Sequence, residues 1–186
     1  MSRIVAGVLG GRRLATPAGR GTRPTSDRVR EALFSALDAL TDLDGARFAD
    51  LYAGSGAVGL EAYSRGAAHV LLVESDARAA RTARGNVTAL AAAPAVRLVT
   101  GRVAQVLATP PDAPYDVVFA DPPYAVPDSE IGAMLTALVA QGWLAAEAVV
   151  VVERSSRAAP VAWVPGITAE HGRRYGETAL WYGRRS

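Results

Sequence analysis

The stretch Phe48-Ala49-Asp50-Leu51-Tyr52-Ala53-Gly54-Ser55-Gly56-Ala57-Val58-Gly59 is an apolar segment that runs into a glycine loop and opens a helix-forming sequence. Glycines at 54, 56 and 59 fit the pattern Gly-x-Gly-x-x-Gly, which lets a ligand approach the backbone and aims helix N-terminal amides at it. Glu74 ends the next apolar segment, 20 residues after Gly54. A carboxylate there can accept from both ribose hydroxyls of a nucleoside cofactor. Glycines serving only a tight strand-to-helix turn are the plainer alternative, and the combination of strand, loop, helix and acid weighs against it.

Outward from this stretch the chain alternates. Strands are expected at 47–52, 69–74, 95–99, 115–120 and 148–153, with helices near 57–65, 77–92, 102–108 and 129–140. Such alternation of apolar strands with helices predicts a parallel sheet covered on both faces. After Pro165, residues 167–175 and 177–183 read as two strands turning at Gly176, which close the sheet in antiparallel fashion. Upstream, Thr25 or Ser26 can cap a helix whose Val29, Leu33, Phe34 and Leu37 recur at helical spacing. Residues 3–9 and 12–16 flank Gly10-Gly11 and read as a small hairpin. Ala91-Ala92-Ala93 and Ala145-Ala146 weakly resemble linker.

Asp50 discriminates between cofactors. A carboxylate at the end of the first strand repels a pyrophosphate and attracts the sulfonium and ammonium of S-adenosylmethionine, so that cofactor is expected. Glu61, early in the following helix, is expected to add a second acid on the same side, although an acid near a helix N-terminus also has an ordinary electrostatic reason.

A second constellation is Val117-Val118-Phe119-Ala120-Asp121-Pro122-Pro123-Tyr124. Two prolines cannot continue a strand ladder, so the chain turns at the carboxyl end of the strand, where ligands bind in open α/β sheets. An exocyclic amine on a base is a poor nucleophile because its lone pair is delocalised into the ring. Asp121 and the Pro122 carbonyl can accept its two N–H bonds and favour a pyramidal nitrogen, while Tyr124 stacks on the base. A proline turn with an incidental acid is the alternative.

Composition bounds the rest. At 186 residues, 50% hydrophobic and 20% charged, the chain suits one folded domain rather than a disordered segment. It has no Cys, and its two histidines, His69 and His171, lie far apart, so thiol chemistry is excluded and a zinc cluster is not expected. No apolar run approaches the ~20 residues of a bilayer span, and the N-terminus lacks a signal-peptide core; a cytoplasmic location is expected. All 20 basic residues are Arg. Residues 1–30 hold seven of them (3, 12, 13, 20, 23, 28 and 30) against Asp27, a local +6, which leaves −4 for residues 31–186 in a chain of net +2. A basic arm on a mildly acidic body is the footprint of a polyanion binder.

Asp50–Ala62 (DLYAGSGAVGLEA), Ser64-Arg65-Gly66-Ala67, Asp121-Pro122-Pro123-Tyr124 and the N-terminal Arg3-Ile4-Val5-Ala6-Gly7, Arg23-Pro24-Thr25 and Arg30-Glu31-Ala32-Leu33-Phe34 together resemble the RsmD family over nearly the whole chain. These are bacterial methyltransferases that modify the exocyclic N2 of a guanine in 16S ribosomal RNA with S-adenosylmethionine. The resemblance implies an α/β fold: a class I S-adenosylmethionine-dependent methyltransferase (Rossmann-like) with a mixed seven-stranded sheet and an N-terminal β-hairpin extension. It divides the chain into an RNA-binding arm, 1–24, and a methyltransferase domain, 25–186. The expected catalytic residues are Asp121, Pro122 and Tyr124. Cofactor binding falls to Asp50, Tyr52, Gly54, Gly56 and Glu74, and substrate binding to Arg3, Arg12, Arg13, Arg20, Arg23, Pro123 and Tyr124. Where many relatives place an acid or amide near the adenine, this chain has Gly101-Arg102-Val103, so backbone amides near Arg102 and Val103 are expected to hold the ring. The expected partner is 16S rRNA in an assembling or assembled 30S subunit, with neither membrane nor metal, the protein acting as a monomer. Alternatives are an amino-methyltransferase acting on adenine N6 of DNA, another RNA or a protein glutamine, and a non-catalytic RNA-binding assembly factor.

Overall fold

A computed structural model describes residues 2–17 and 26–186. In chain order the elements are β1 (Ser2–Arg3), β2 (Arg13–Leu14), α1 (Asp27–Leu40), β3 (Arg47–Leu51), α2 (Ala57–Ser64), β4 (His69–Glu74), α3 (Ala77–Ala89) and β5 (Val96–Thr100). They continue with α4 (Val103–Leu107), β6 (Tyr115–Ala120), α5 (Asp128–Ala140), β7 (Leu144–Ser155), β8 (Ile167–Tyr175) and β9 (Thr178–Arg185). The main sheet has seven strands in the order β5-β4-β3-β6-β7-β9-β8. The first five are parallel, and β9 pairs antiparallel with both neighbours.

Side chains alternate across each strand, so each strand feeds two cores. Phe48, Val70, Leu72, Val117, Phe119, Val149 and Val151 pack beneath α1, α2 and α3 on one face. Ala49, Leu51, Leu71, Val73, Val118, Ala120, Val150 and Val152 pack against α4 and α5 on the other. Burial on both sides is why these strands read as unbroken apolar runs. Ser26 caps α1 by accepting from the Val29 amide at 3.2 Å, and Asp76 does the same for α3 from Ala79 at 2.9 Å. Thr25, the other expected cap, lies outside the described residues. Among the described residues no helix is long and apolar enough to cross a membrane.

Several expectations are corrected. The hairpin strands are two residues each rather than five to seven, and the connection between them is wide. Its sharpest constraint is Gly7, at φ +83°, where a Cβ would stand 2.0 Å from the Ser64 carbonyl oxygen. Helix α3 stops at Ala89, not 92, and Ala92 is buried in the tight connection to β5. Ala145-Ala146 is no linker: β7 begins at Leu144 and runs twelve residues.

The largest correction concerns charge. Arg30, counted above with the basic arm, is fully buried on α1 and bonds to Glu61, Asp27, the Ser2 hydroxyl and the Arg3 carbonyl. Glu61, expected beside the cofactor, is equally buried and faces the hairpin instead. Its two oxygens accept from the amides of Val5 and Ala6 at 2.8 and 3.0 Å and from Arg30 and Arg65 at 3.3 and 2.9 Å. Ile4 and Leu14 of the hairpin are buried in the same core as α1 and α2.

Candidate active site

Strand order reverses between β3 and β6, and the crevice outside the carboxyl ends of these strands is where open α/β sheets bind ligands. A cavity of about 1340 Å³ opens there. It brings together Asp50, Tyr52, Gly54, Glu74, Asp121, Pro122, Pro123 and Tyr124, drawn from segments more than 70 residues apart in sequence. That volume exceeds the usual ~300–1,000 Å³ of a small-molecule pocket and leaves room for a second reactant beside a nucleoside.

Asp50 is 1% exposed and pairs across the sheet with Leu72 and Phe119. Burial pushes its carboxyl well above the ordinary range; the Gly59 amide, donating at 2.9 Å, pulls the other way, and the charges of Glu74 and Glu153 add to the rise. Tyr52 takes φ +61°, a left-handed conformation uncommon for a bulky residue, at the point where β3 gives way to the glycine loop. Its phenol is raised by burial and by the charge of Glu130, with Arg154 opposing. The loop is braced from behind. Glu74 accepts the Gly54 amide at 2.7 Å through one oxygen and the Asp76 amide at 2.8 Å through the other. Gly59 lets α2 lie on β4, since a Cβ would come within 2.3 Å of Leu72 and 2.9 Å of Val70.

The donor set suits S-adenosylmethionine. Two carboxylates flank the loop, each oxygen of Glu74 retains a lone pair after its backbone bond, and among the described residues no atom beyond its chain neighbours lies within 4 Å of where a Gly54 Cβ would stand. A cationic nucleoside matches that chemistry and a pyrophosphate does not. Gly56, Arg102 and Val103 are not on the cavity wall. Gly56, at φ +82°, is the N-cap of α2, with its Cβ position 3.0 Å from Leu72; Arg102 caps α4, and Val103, its first residue, is buried.

On the far side, Asp121 follows β6, Pro122 is buried and Pro123 exposed. Tyr124, 49% exposed, stands at the mouth as one of two large apolar side chains on the surface of the described residues. Sequence reasoning missed what holds this turn. Arg154, near the end of β7, donates to the carbonyls of Val126 at 2.8 Å and Pro123 at 3.4 Å and lies 3.7 Å from Asp128. A cation directly after four valines and a glutamate was the available signal. Glu153 and the β8–β9 turn from Arg174 to Thr178 also line the cavity and were not anticipated.

The arm reaches the site through Asn86, which is 4% exposed on α3. Its amide accepts from Ala15 at 2.9 Å and donates to the carbonyls of Ala15 and Ser55 at 3.0 and 2.9 Å. Thr16 and Pro17 then continue onto the cavity wall. Arg3, Arg12 and Arg13 are exposed and away from the cavity, and Arg12 donates to the Ala89 carbonyl at 3.1 Å. Arg20 and Arg23 lie outside the described residues. His69 bonds to Tyr115 at 3.0 Å and His171 stacks on Tyr182; neither lines the cavity.

Comparison with known proteins extends this geometry. The chain is 40% identical over 151 residues to ribosomal RNA small subunit methyltransferase D of Escherichia coli K12, covering 81% of this chain and 73% of that protein. It is 35% identical over 153 residues to the protein of the same name in Haemophilus influenzae, covering 81% and 77%. A solved E. coli structure, 33% identical, covers 100% of this chain and 98% of its own with a TM-score of 0.85. Magnesium protoporphyrin IX methyltransferase of Synechocystis with bound S-adenosylmethionine, 17% identical, covers 86% and 79% at a TM-score of 0.66, which shows the class I methyltransferase fold alone. The family described as Conserved hypothetical protein 95 matches residues 2–184, and the chain belongs to it, the RsmD family that the glycine loop, the tetrad and the arm resemble.

Proposed function

We propose that this protein transfers a methyl group from S-adenosylmethionine to the exocyclic N2 of a guanine in 16S ribosomal RNA. The observation that carries the reading is the meeting of Asp50 and Asp121, from adjacent strand ends, in one cavity large enough for a nucleoside and a base. The names of the relatives supply the RNA, and the exposed Tyr124 at the mouth suits an extruded base.

When bound, S-adenosylmethionine supplies a methyl on a positively charged sulfur. Asp50 and Glu74 hold the methionine and ribose ends, and the Gly54 loop admits the nucleoside close to the backbone. Asp121 accepts one N–H of the guanine amine and the Pro122 carbonyl the other, drawing the lone pair out of ring conjugation, while Tyr124 stacks on the base and Pro123 fixes the turn. The excess proton leaves to water, so no strong general base is required. Positioning of two bound reactants provides most of the acceleration. Residues 1–24 act as the RNA arm and 25–186 as the catalytic body, a monomer working on the assembling or assembled small subunit.

Asp121→Ala should lower methyl transfer from labelled cofactor by at least about 100-fold, as misplacing a bound nucleophile does. Cofactor binding measured by calorimetry should be nearly unchanged. Turnover at the wild-type rate would overturn the assignment.

A further inference from the structure

Net charge conceals a second basic region. Between Asp76 and Asp112 the sequence has five arginines and no acid, a local +5 in a body whose preceding residues, 31–76, carry two arginines against eight acids. Three of the five, Arg78, Arg81 and Arg84, recur every third residue on α3 and are exposed, while Ala79, Ala80, Ala83, Asn86 and Val87 of the same helix are buried. Solvated helix faces commonly intersperse acids with such cations at i,i+3 and i,i+4. Helix α3 carries no acid, and among the described residues no carboxylate pairs with Arg78, Arg81 or Arg84.

The cations also stand at the unfavourable end. Arg78 and Arg81 lie in the first half of α3, toward the positive pole of its macrodipole, where cations are disfavoured and anions attracted. Three like charges at three-residue spacing repel one another as well. The face is continuous with the arm: Arg12 lies on the Ala89 carbonyl at the helix C-terminus, and Asn86 pins Ala15 to the last turn of the helix. At its other end Arg78 lines the cavity mouth. Thirteen residues span roughly 20 Å, the length of several nucleotides.

We propose that the outer face of α3, with Arg78, Arg81 and Arg84, is a second phosphate-docking surface that continues the arm and carries an RNA backbone up to the cavity mouth. This rests on the methyltransferase reading above and names a part of the substrate surface that the arm alone does not provide.

The test pairs Arg81→Ala/Arg84→Ala with Arg81→Lys/Arg84→Lys, neither position lining the cavity. Binding to naked 16S RNA and to small subunits is titrated from about 50 to 200 mM salt, where counterion release sets the slope. The alanine pair should weaken naked-RNA binding by about tenfold at the lower salt and flatten the log–log slope by about 1.4, two contacts at ~0.7 each. The lysine pair should keep the wild-type slope. An unchanged slope for the alanine pair overturns the proposal, and so does a loss confined to whole subunits, which would assign the face to a ribosomal protein. Methyl transfer by the unaltered enzyme is assayed alongside, so failure of the catalytic reading is seen separately.

Discussion

Asp50 places a carboxylate where burial and two neighbouring acids oppose its ionisation. Its folded value is raised, so the native protein holds a proton that the unfolded chain releases; this contribution is present below the ordinary carboxylate value and lost as pH rises through the raised one. Asp50→Asn should therefore raise the melting temperature at neutral pH and remove that part of its pH dependence. Cofactor affinity should fall at the same time, because the countercharge to the sulfonium is gone. In the unaltered protein, affinity for the cation should increase with pH across the Asp50 titration, with a proton released on binding below it. Calorimetry in buffers of different ionisation enthalpy reads that proton, and equal affinities for the Asp and Asn forms would remove Asp50 from the cofactor site. The sequence made Asp50 legible because strand-end position is visible in apolar patterning. It could not do the same for Glu61, since helical spacing says which side a residue is on and nothing of what covers that side.

At the scale of elements, the hairpin is clamped rather than appended. Glu61 accepts four hydrogen bonds, two from the hairpin backbone and two from arginines. Glu61→Ala would leave Arg30 without its buried countercharge, with only the half-exposed Asp27 remaining, and two amides unpaired, at a cost of about 3–5 kcal/mol. Denaturant titration should find that loss, with faster tryptic cutting at Arg12 and Arg13; a loss under about 1 kcal/mol would mean that Glu61 does not clamp the hairpin and that its other contacts, Ile4 and Leu14 in the core and the bonds to Ser64 and Asn86, hold it. The hairpin was read from Gly10-Gly11, yet its strands are short because the chain must pass Ser64 at Gly7. That is a tertiary contact which no local pattern encodes. Four of the five parallel strands were legible to within one residue, because strands buried on both faces leave continuous apolar runs with polar or small residues at their tips; β7 starts four residues before its apolar run.

Across the whole molecule, charge is distributed in blocks. The arm keeps exposed Arg3, Arg12 and Arg13 after Arg30 is withdrawn into the core. Replacing Arg12, Arg13 and Arg20 by Ala should flatten the salt dependence of RNA binding by about 2 in log–log slope and leave cofactor affinity within about twofold. An unchanged slope would return these arginines to ordinary surface decoration. A single sum over residues 31–186 hid the +5 block because two acidic blocks surround it, so the arm alone stood out in the sequence. The tetrad's place at the carboxyl end of its strand was legible and its support was not: Arg154 reaches Pro123 and Val126 from a strand about thirty residues away.

Asn86 touches both the arm and the glycine loop through one carboxamide, so the two cannot shift independently. Linkage then requires reciprocity: if RNA on the arm steadies Ala15, it also steadies Ser55, and cofactor in the loop must favour RNA by the same factor. Under that condition the two sites would fill in concert whichever reactant arrived first, and trimming away the arm would weaken the grip on the small molecule as well as on the large one.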